Sequence, residues 1–114
     1  MSSQIEEFHP LRGSEVRMYA CGPTVYDYGH IGNFRTFVMV DLLRRFLRQS
    51  GYKLRHVMNI TDVDDKIIRN AAQAHVDTRT YTQKYEQAFL EDSRILNLEP
   101  PEIMARAIPR SWKP

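Results

Sequence analysis

The chain has 114 residues, of which 42% are hydrophobic and 26% are charged, and its formal net charge at pH 7 is +2. This length predicts one domain of ordinary soluble composition, and the small charge gives no strong field that would favour a nucleic acid or membrane partner. No apolar run approaches the ~20 residues of a membrane span. The single cysteine excludes an internal disulfide, which fits a cytoplasmic location. Residues 1–10 are acidic and polar, so they are not expected to form a signal peptide.

The first predicted elements are a strand and a long helix. A polar lead-in at residues 1–14 precedes the strand, which spans residues 16–21. This strand ends at Gly22-Pro23 because proline cannot donate to a sheet ladder. Over residues 33–50 apolar residues recur at helical spacing. The predicted buried face of this helix consists of Phe34, Phe37, Val38, Leu42, Phe46 and Leu47.

A second strand completes a predicted β-loop-α-β unit. Gly51 is expected to end the helix in the usual C-terminal position, and residues 53–60 have the composition of a strand. Two strands joined by a helix should lie parallel with a right-handed crossover. Within the helix, Asp41 and Arg45 lie four residues apart and are expected to pair across one turn.

The second half of the chain predicts further helices. A Thr-x-x-Asp pattern that begins at Thr61 is close to a capping box and starts a predicted helix at residues 64–74. Another helix, with an apolar stripe along one side, is predicted at about residues 80–96. After a double proline, residues 102–107 predict one more helical turn. Residues 108–114 depart from the preceding pattern and form a divergent tail.

The stretch CGPTVYDYGHIGN at residues 21–33 is the candidate functional site. It lies at the carboxyl end of a strand and leads into a helix, whose N-terminal N–H groups and partial positive charge favour phosphate. Gly29 and Gly32 allow backbone or a flat ring to approach closely. His30 has the chemistry to donate a hydrogen bond or carry charge to a phosphoryl oxygen. The alternative is an ordinary loop in which Asn33 caps the helix.

Two separated motifs, CGPTVYDYGHIGNFRTF and GYKLRHVMNITDVDDKII, occur in this order with the predicted helix between them. Together they strongly resemble the N-terminal part of cysteinyl-tRNA synthetases, over roughly residues 8–107. His30-Ile31-Gly32-Asn33 stands where class I synthetases carry their HIGH signature. The resemblance implies an α/β fold, a partial Rossmann-like nucleotide-binding domain with additional C-terminal helices. Residues 15–107 would be the N-terminal part of the class I catalytic domain.

The function implied by the resemblance is that of a cysteine--tRNA ligase. Such an enzyme uses ATP, with Mg²⁺, to activate L-cysteine and then transfers the cysteine to tRNA(Cys). The residues that would bind ATP are Gly22, Pro23, Thr24, His30, Gly32 and Asn33. His30 and Asn33 would be catalytic, and Thr61 would lie near the substrate cysteine. Asn33 replaces the last histidine of the signature, and asparagine can donate a hydrogen bond but cannot become a cation.

The resemblance also makes Cys21 one ligand of a Zn²⁺ ion that recognises the substrate thiolate. Zinc binds thiolate readily, so such a site would reject serine. The family supplies the other ligands from later in its sequence, and the histidines here show no ligand spacing with Cys21. For this chain the favoured interpretation of Cys21 is therefore a half-buried thiol at a strand end.

Three other groups of residues leave two interpretations open. Tyr26 and Tyr28 either line the site or simply pack against other residues of the protein. The acidic residues of TDVDD either complement a helix N-terminus, which is favoured, or bind Mg²⁺. A basic patch either contacts tRNA phosphate or, more commonly, is a solvated helix face. This patch consists of Arg44, Arg45 and Arg48.

Cysteinyl-tRNA synthetases are several times longer than this chain, so the resemblance implies a truncated N-terminal portion with little turnover alone. One hypothesis is a single-base frameshift near codon 107, which would explain the tail IPRSWKP. The alternatives are a non-catalytic module that binds nucleotide, tRNA or a partner, and a tRNA-independent cysteine ligase of the same superfamily. The two long helices are expected to expose apolar surface, so light scattering should show self-association.

Overall fold

The structure is a computed structural model that describes residues 3–107. These residues form six elements in chain order, which are β1 (Glu15–Ala20), α1 (Ile31–Gln49), β2 (Lys53–Ile60), α2 (Asp65–Gln73), α3 (Thr78–Ile95) and β3 (Ile103–Arg106). The predicted strands and long helices are all present with small shifts of their ends. The tail at residues 108–114 lies outside the described residues.

The three strands form one parallel sheet in the order β1-β2-β3. Val16 lies opposite Leu54, and Val57 lies opposite Ile103. The prediction of an α/β fold with parallel strands joined by a helix is therefore confirmed. The helical turn predicted at residues 102–107 is wrong, because Ile103–Arg106 pairs with the end of β2 instead. Four residues are too few to show a period, and the pairing partner lies more than forty positions earlier.

The core lies between α1, β2 and α3. Phe34, Phe37, Met58 and Phe89 are buried together, with Leu90 and Leu98 packed against them. The ring centroids of Phe37 and Phe89 are 5.1 Å apart in an edge-to-face arrangement, which favours aromatic pairs beyond their burial. This aromatic cluster fixes where α3 lies on the sheet, and α3 in turn borders the candidate site.

The buried face of α1 differs from the predicted one. Its buried residues are Phe34, Phe37, Asp41, Arg44 and Leu47. Val38, Leu42 and Phe46, which were predicted to be buried, are exposed, and with Met39 and Leu43 they form a second apolar stripe. The helix is apolar on two sides, so the period of its pattern could not show which side meets the sheet. The exposed stripe agrees with the expected apolar surface, and self-association stays a prediction.

The basic patch on α1 is tied into an ion-pair network, in which Arg44 is buried while the side chains of Arg45 and Arg48 stay exposed. Arg44 is 2% exposed and donates from Nη1 to the Glu99 carbonyl (2.5 Å) and from Nη2 to the Pro100 carbonyl (2.9 Å). Arg48 pairs with Glu99 and with Glu102. Arg45 pairs with Asp41 at 2.7 Å, which confirms the predicted i,i+4 contact. These arginines fasten the turn between α3 and β3 to α1.

His56 on β2 lies fully buried beside this network. Its backbone N–H donates to Glu102 Oε2 at 2.7 Å, while the ring lies near the charges of Arg44 and Arg48. Burial, and after it the positive charge of Arg44, lowers the pKa of His56 from its usual 6.5, against the opposing effect of Glu102. The folded protein therefore holds this imidazole in its neutral form at neutral pH.

His56 should make stability fall in acid. Below pH 6.5 His56 becomes protonated in the unfolded chain but stays neutral in the folded chain, because its pKa is lower in the folded state. The contribution to the free energy of unfolding is present above pH 6.5 and is lost with a slope of up to about 1.4 kcal/mol per pH unit until the folded pKa is passed. Urea unfolding at pH 7.5, 6.5 and 5.5 checks this. His56→Phe should remove this part of the pH dependence, and an unchanged slope in that variant would contradict it.

Candidate functional site

The carboxyl ends of β1 and β2 meet at the candidate site. Beyond the strands, Thr24 and Thr61 form an isolated parallel bridge. The Val25 N–H donates to the Thr61 carbonyl at 3.1 Å, and the Thr61 N–H donates to the Pro23 carbonyl at 2.9 Å. The structure therefore brings the predicted ATP-binding segment and the predicted substrate residue Thr61 side by side. The prediction that Thr61 caps α2 is wrong, because Asp64 occupies the N-cap position.

Gly22 occupies a position where the two strand ends touch. A Cβ atom at Gly22 would lie 1.9 Å from the Asn59 carbonyl oxygen, so only glycine fits. The Gly22 N–H and the Tyr19 hydroxyl both donate to Asn59 Oδ1, at 3.2 and 3.0 Å. Asn59 Nδ2 donates to Thr61 Oγ1 at 3.0 Å. Asn59 thus joins both sides of the site, and sequence reasoning missed it because an asparagine inside a strand carries no signal of its own.

His30 is the N-cap of α1, a position that the ordinary-loop alternative gave to Asn33. The Gly32 N–H donates to His30 Nδ1 at 3.0 Å, and the His30 N–H donates to Asn33 Oδ1 at 3.0 Å. These two bonds form a reciprocal capping box. Since Nδ1 accepts a hydrogen bond, the neutral imidazole carries its proton on Nε2. The exposed ring of His30 therefore presents an N–H donor at the N-terminus of α1.

Replacing Asn33 by alanine should remove half of this capping box. The His30 N–H would lose its partner, so we expect the free energy of unfolding to fall by about 1 kcal/mol, the usual effect of a lost cap. Urea denaturation followed by circular dichroism measures the change. Asn33→Asp keeps an acceptor oxygen at this position and should retain wild-type stability, so a loss as large as that of the alanine variant would contradict the capping role.

A cleft of about 280 Å³, here called the Thr24 cleft, lies between the loop after β1 and helix α3. Of the predicted site residues, Gly22, Pro23, Thr24 and Asn33 line it. The remaining lining residues are Val25, Tyr26, Asp27, Tyr28, Gly29, Phe37, Tyr85 and Phe89. Cys21, His30, Gly32 and Thr61 are not among the residues that line it. The structure thus gathers half of the predicted residues around one cleft, and backbone hydrogen bonds join Thr61 to Pro23 and Val25, which line it.

The two glycines next to His30 have different surroundings. A Cβ at Gly29 would lie 2.5 Å from Cε2 of Phe34, so the flat ring that approaches this glycine belongs to the protein core. A Cβ at Gly32 would lie 3.2 Å from His30 Nδ1. Gly32 therefore gives room to the capping imidazole, and its predicted role beside an adenine ring stays a prediction.

Helix α3 contributes an aromatic wall that the sequence analysis did not assign. The rings of Tyr28 and Tyr85 meet edge to face at 5.2 Å, and the Tyr81 hydroxyl donates to the Tyr26 carbonyl at 2.8 Å. A hydrogen bond with Tyr81, followed by burial, raises the pKa of Tyr85 to about 12. Tyr85 therefore stays neutral, and both tyrosines of the loop line the cleft. The apolar stripe of α3 was predicted from the sequence, but the loop after β1 against which its tyrosines pack was not.

The residues present do not complete a zinc site. Cys21 follows the end of β1 as predicted, but it is exposed rather than half-buried. Within residues 3–107, no three His, Cys, Asp or Glu side chains form a group that could hold a metal ion. Asp64 caps α2 and Asp65 lies in its first turn, in agreement with the favoured interpretation of these acids. Asp62 is buried and accepts the Ala107 N–H at 3.0 Å.

Comparison with known proteins now identifies the family. The family model described as tRNA synthetases class I (C) catalytic domain matches residues 7–110. The chain belongs to this family. In this class I synthetase domain, the parallel sheet agrees with the fold that the resemblance implied, and the roles of the HIGH-type residues stay predictions. No helix among the described residues is long and apolar enough to cross a membrane.

Relatives of this class I synthetase domain agree with the assignment. The chain is 68% identical to "Cysteine--tRNA ligase" of Koribacter versatilis over 107 residues, 94% of this chain and 22% of that protein. The corresponding protein of Solibacter usitatus is 62% identical, over 94% of this chain and 23% of the relative. Mycobacterium tuberculosis methionyl-tRNA synthetase in complex with methionyl-adenylate shares the fold, with a TM-score of 0.73 at 19% identity over 80% of this chain and 18% of that one. The chain thus spans about a fifth of the length of these relatives.

Proposed function

We propose that this chain is the nucleotide-binding N-terminal portion of a cysteine--tRNA ligase. The proposal rests on one observation of the site, the His30 capping box, in a chain whose relatives carry that name. The capping box uses His30 Nδ1 and leaves Nε2–H out of the cap, at the N-terminus of α1 and next in the fold to Asn33, which lines the Thr24 cleft. A hydrogen-bond donor at the positive end of a helix dipole suits the phosphates of ATP.

In this proposal the substrate carboxylate attacks the α-phosphorus of ATP, and pyrophosphate leaves. His30 Nε2–H donates to a phosphoryl oxygen on which charge develops, which is the kind of fixed electrostatic stabilisation that lowers a barrier most. Its own Nδ1 is held by the Gly32 N–H, so the donor needs no reorganisation. Gly22, Pro23 and Thr24 form the wall of the nucleotide site, and Thr61 stands near the cysteine. Mg²⁺ would accompany the ATP and neutralise phosphate charge.

The proposed substrates are ATP, L-cysteine and tRNA(Cys). No step is derived through zinc, because no three His, Cys, Asp or Glu side chains within residues 3–107 form a group that could hold a metal ion, and Cys21 is a free, exposed thiol. No tRNA contact is assigned to Arg44, Arg45 or Arg48, since all three bind the turn after α3. Cytoplasmic location remains part of the proposal.

Equilibrium ATP binding tests the role of His30. His30→Ala should weaken ATP binding by about tenfold to a hundredfold, because a hydrogen bond to a charged group contributes about 1.5–3 kcal/mol. His9→Ala, in the exposed lead-in, is the matched control and should bind like wild type. Urea unfolding of His30→Ala beside Asn33→Ala, which keeps the imidazole, shows how much stability is lost with the cap alone. Equal ATP affinity in wild type and His30→Ala would overturn the proposal.

The second candidate is a non-catalytic nucleotide-binding module, for which the Thr24 cleft would serve equally. Cysteine-dependent exchange of pyrophosphate into ATP discriminates between the two. Exchange above background supports a catalytic portion, whereas ATP binding without exchange supports the module. Transfer of cysteine to an amino sugar rather than to tRNA would instead identify the tRNA-independent ligase of the same superfamily.

A further inference from the structure

A second cavity, here called the His56 cavity, lies on the other side of the aromatic core from the Thr24 cleft. It has a volume of about 320 Å³, opens to solvent, and is lined by residues of α1, β2, α3 and the chain that leads into β3. Phe37 and Phe89 border both spaces and separate them. Small-molecule sites start at about this volume. The cavity is therefore large enough for a ligand and distinct from the proposed nucleotide site.

All buried side-chain nitrogens and oxygens that lack a hydrogen-bond partner within residues 3–107 belong to residues that line this cavity. They are Arg44 Nε, His56 Nδ1, His56 Nε2 and Ser93 Oγ. His56 is 0% exposed and Arg44 is 2% exposed. An unpaired buried polar group costs about 1–3 kcal/mol, and native proteins leave few of them. Four such atoms around one cavity mark a site with unused hydrogen-bonding capacity.

The unpaired atoms define what the cavity would bind. Arg44 Nε–H is a donor only, so the ligand must bring an acceptor. Neutral His56 supplies one donor and one acceptor, and the Ser93 hydroxyl supplies either. The ligand must also be uncharged, because Asp41 and Glu102 already balance the Arg44 charge at 3.9 and 3.4 Å. Most of the remaining surface is apolar, with Phe37, Met58, Phe89, Leu90, Leu98 and Met104 among its residues, and Arg94, Asn97 and Glu99 also line the cavity.

We propose that the His56 cavity binds a small, neutral, flat nitrogen heterocycle that carries both a ring acceptor nitrogen and an N–H donor. The apolar wall takes the ring faces, and His56, Ser93 and Arg44 Nε take the polar edge. This site is independent of the proposed function, since none of these three polar residues lines the Thr24 cleft.

Nuclear magnetic resonance of ¹³C-methyl methionine on the whole chain tests the proposal with benzimidazole at pH 7.5. Met58 and Met104 line the cavity, whereas Met39 is 58% exposed on the far stripe of α1 and reports non-specific binding. We expect saturable shifts of the Met58 and Met104 methyls with Met39 unchanged. Indene has the same bicyclic shape without nitrogen and should bind at least about tenfold more weakly, since two or more hydrogen bonds are lost.

Two variants test the polar edge. Ser93→Ala should weaken benzimidazole binding several-fold while it preserves the fold, and His56→Phe should weaken it by about tenfold or more. If His56→Phe does not fold, Ser93→Ala decides. The proposal is overturned if benzimidazole and indene shift Met58 equally, if Met39 responds as strongly as Met58, if Ser93→Ala binds like wild type, or if no saturable shift occurs.

Discussion

Arg44→Lys is expected to lower the free energy of unfolding by about 3 kcal/mol, because it breaks a buried charge network on one side only. The guanidinium of Arg44 holds the carbonyls of Glu99 and Pro100 together, a geometry that a lysine ammonium cannot reproduce. Lysine keeps the charge but is more strongly hydrated, so its burial costs more. Total stabilities of domains are about 5–15 kcal/mol, so this loss would be readily visible in urea unfolding.

Arg35→Lys is the matched control for this prediction. Arg35 lies on the same helix and is exposed, so the exchange should change stability by less than about 0.5 kcal/mol. Wild-type stability in Arg44→Lys would show that the turn after α3 is held by other contacts. Because α3 carries Tyr85 and Phe89, which line the Thr24 cleft, we also expect weaker ATP binding in the lysine variant.

Gly22→Ala is the second change with a large expected effect. The new Cβ would lie 1.9 Å from the Asn59 carbonyl oxygen and 2.8 Å from Cγ of Met58, so the strand ends must move apart. Overpacking of this kind costs about 1–3 kcal/mol, and backbone leaves less room to relax than a side chain does. The movement would also break the Gly22 N–H bond to Asn59 and displace the wall of the Thr24 cleft.

Urea unfolding and ATP titration of Gly22→Ala should therefore change together. Gly32→Ala is the comparison, because its Cβ would meet only the His30 side chain, with Nδ1 at 3.2 Å. We expect that variant to stay within about 1 kcal/mol of wild type, since alanine also favours the helix. A Gly22→Ala protein with wild-type stability would mean that the contact between β1 and β2 at this point is not close in solution.

The sequence alone predicted the elements whose apolar residues repeat over many positions or that end at a helix-terminating glycine. The spacing over residues 33–50 gave α1, Gly51 gave its end, and β2 was predicted with its observed bounds at Lys53–Ile60. The signature residues at 30–33 located the helix N-terminus, and the matching family and relatives confirm the resemblance that they carry. Their roles toward ATP, and those of Gly22, Pro23, Thr24 and Thr61, stay predictions.

The tertiary structure decided what depends on distant partners. Ile103–Arg106 is a strand because β2 offers it an edge, although its four residues show no period. Arg44 is buried because the backbone turn at Glu99 and Pro100 supplies carbonyls to it, whereas its sequence neighbourhood is that of an exposed basic face. The same applies to His56, whose neutral state comes from burial beside Arg44. Periodicity records which residues avoid water, but only the packed chain determines which surfaces and polar groups meet.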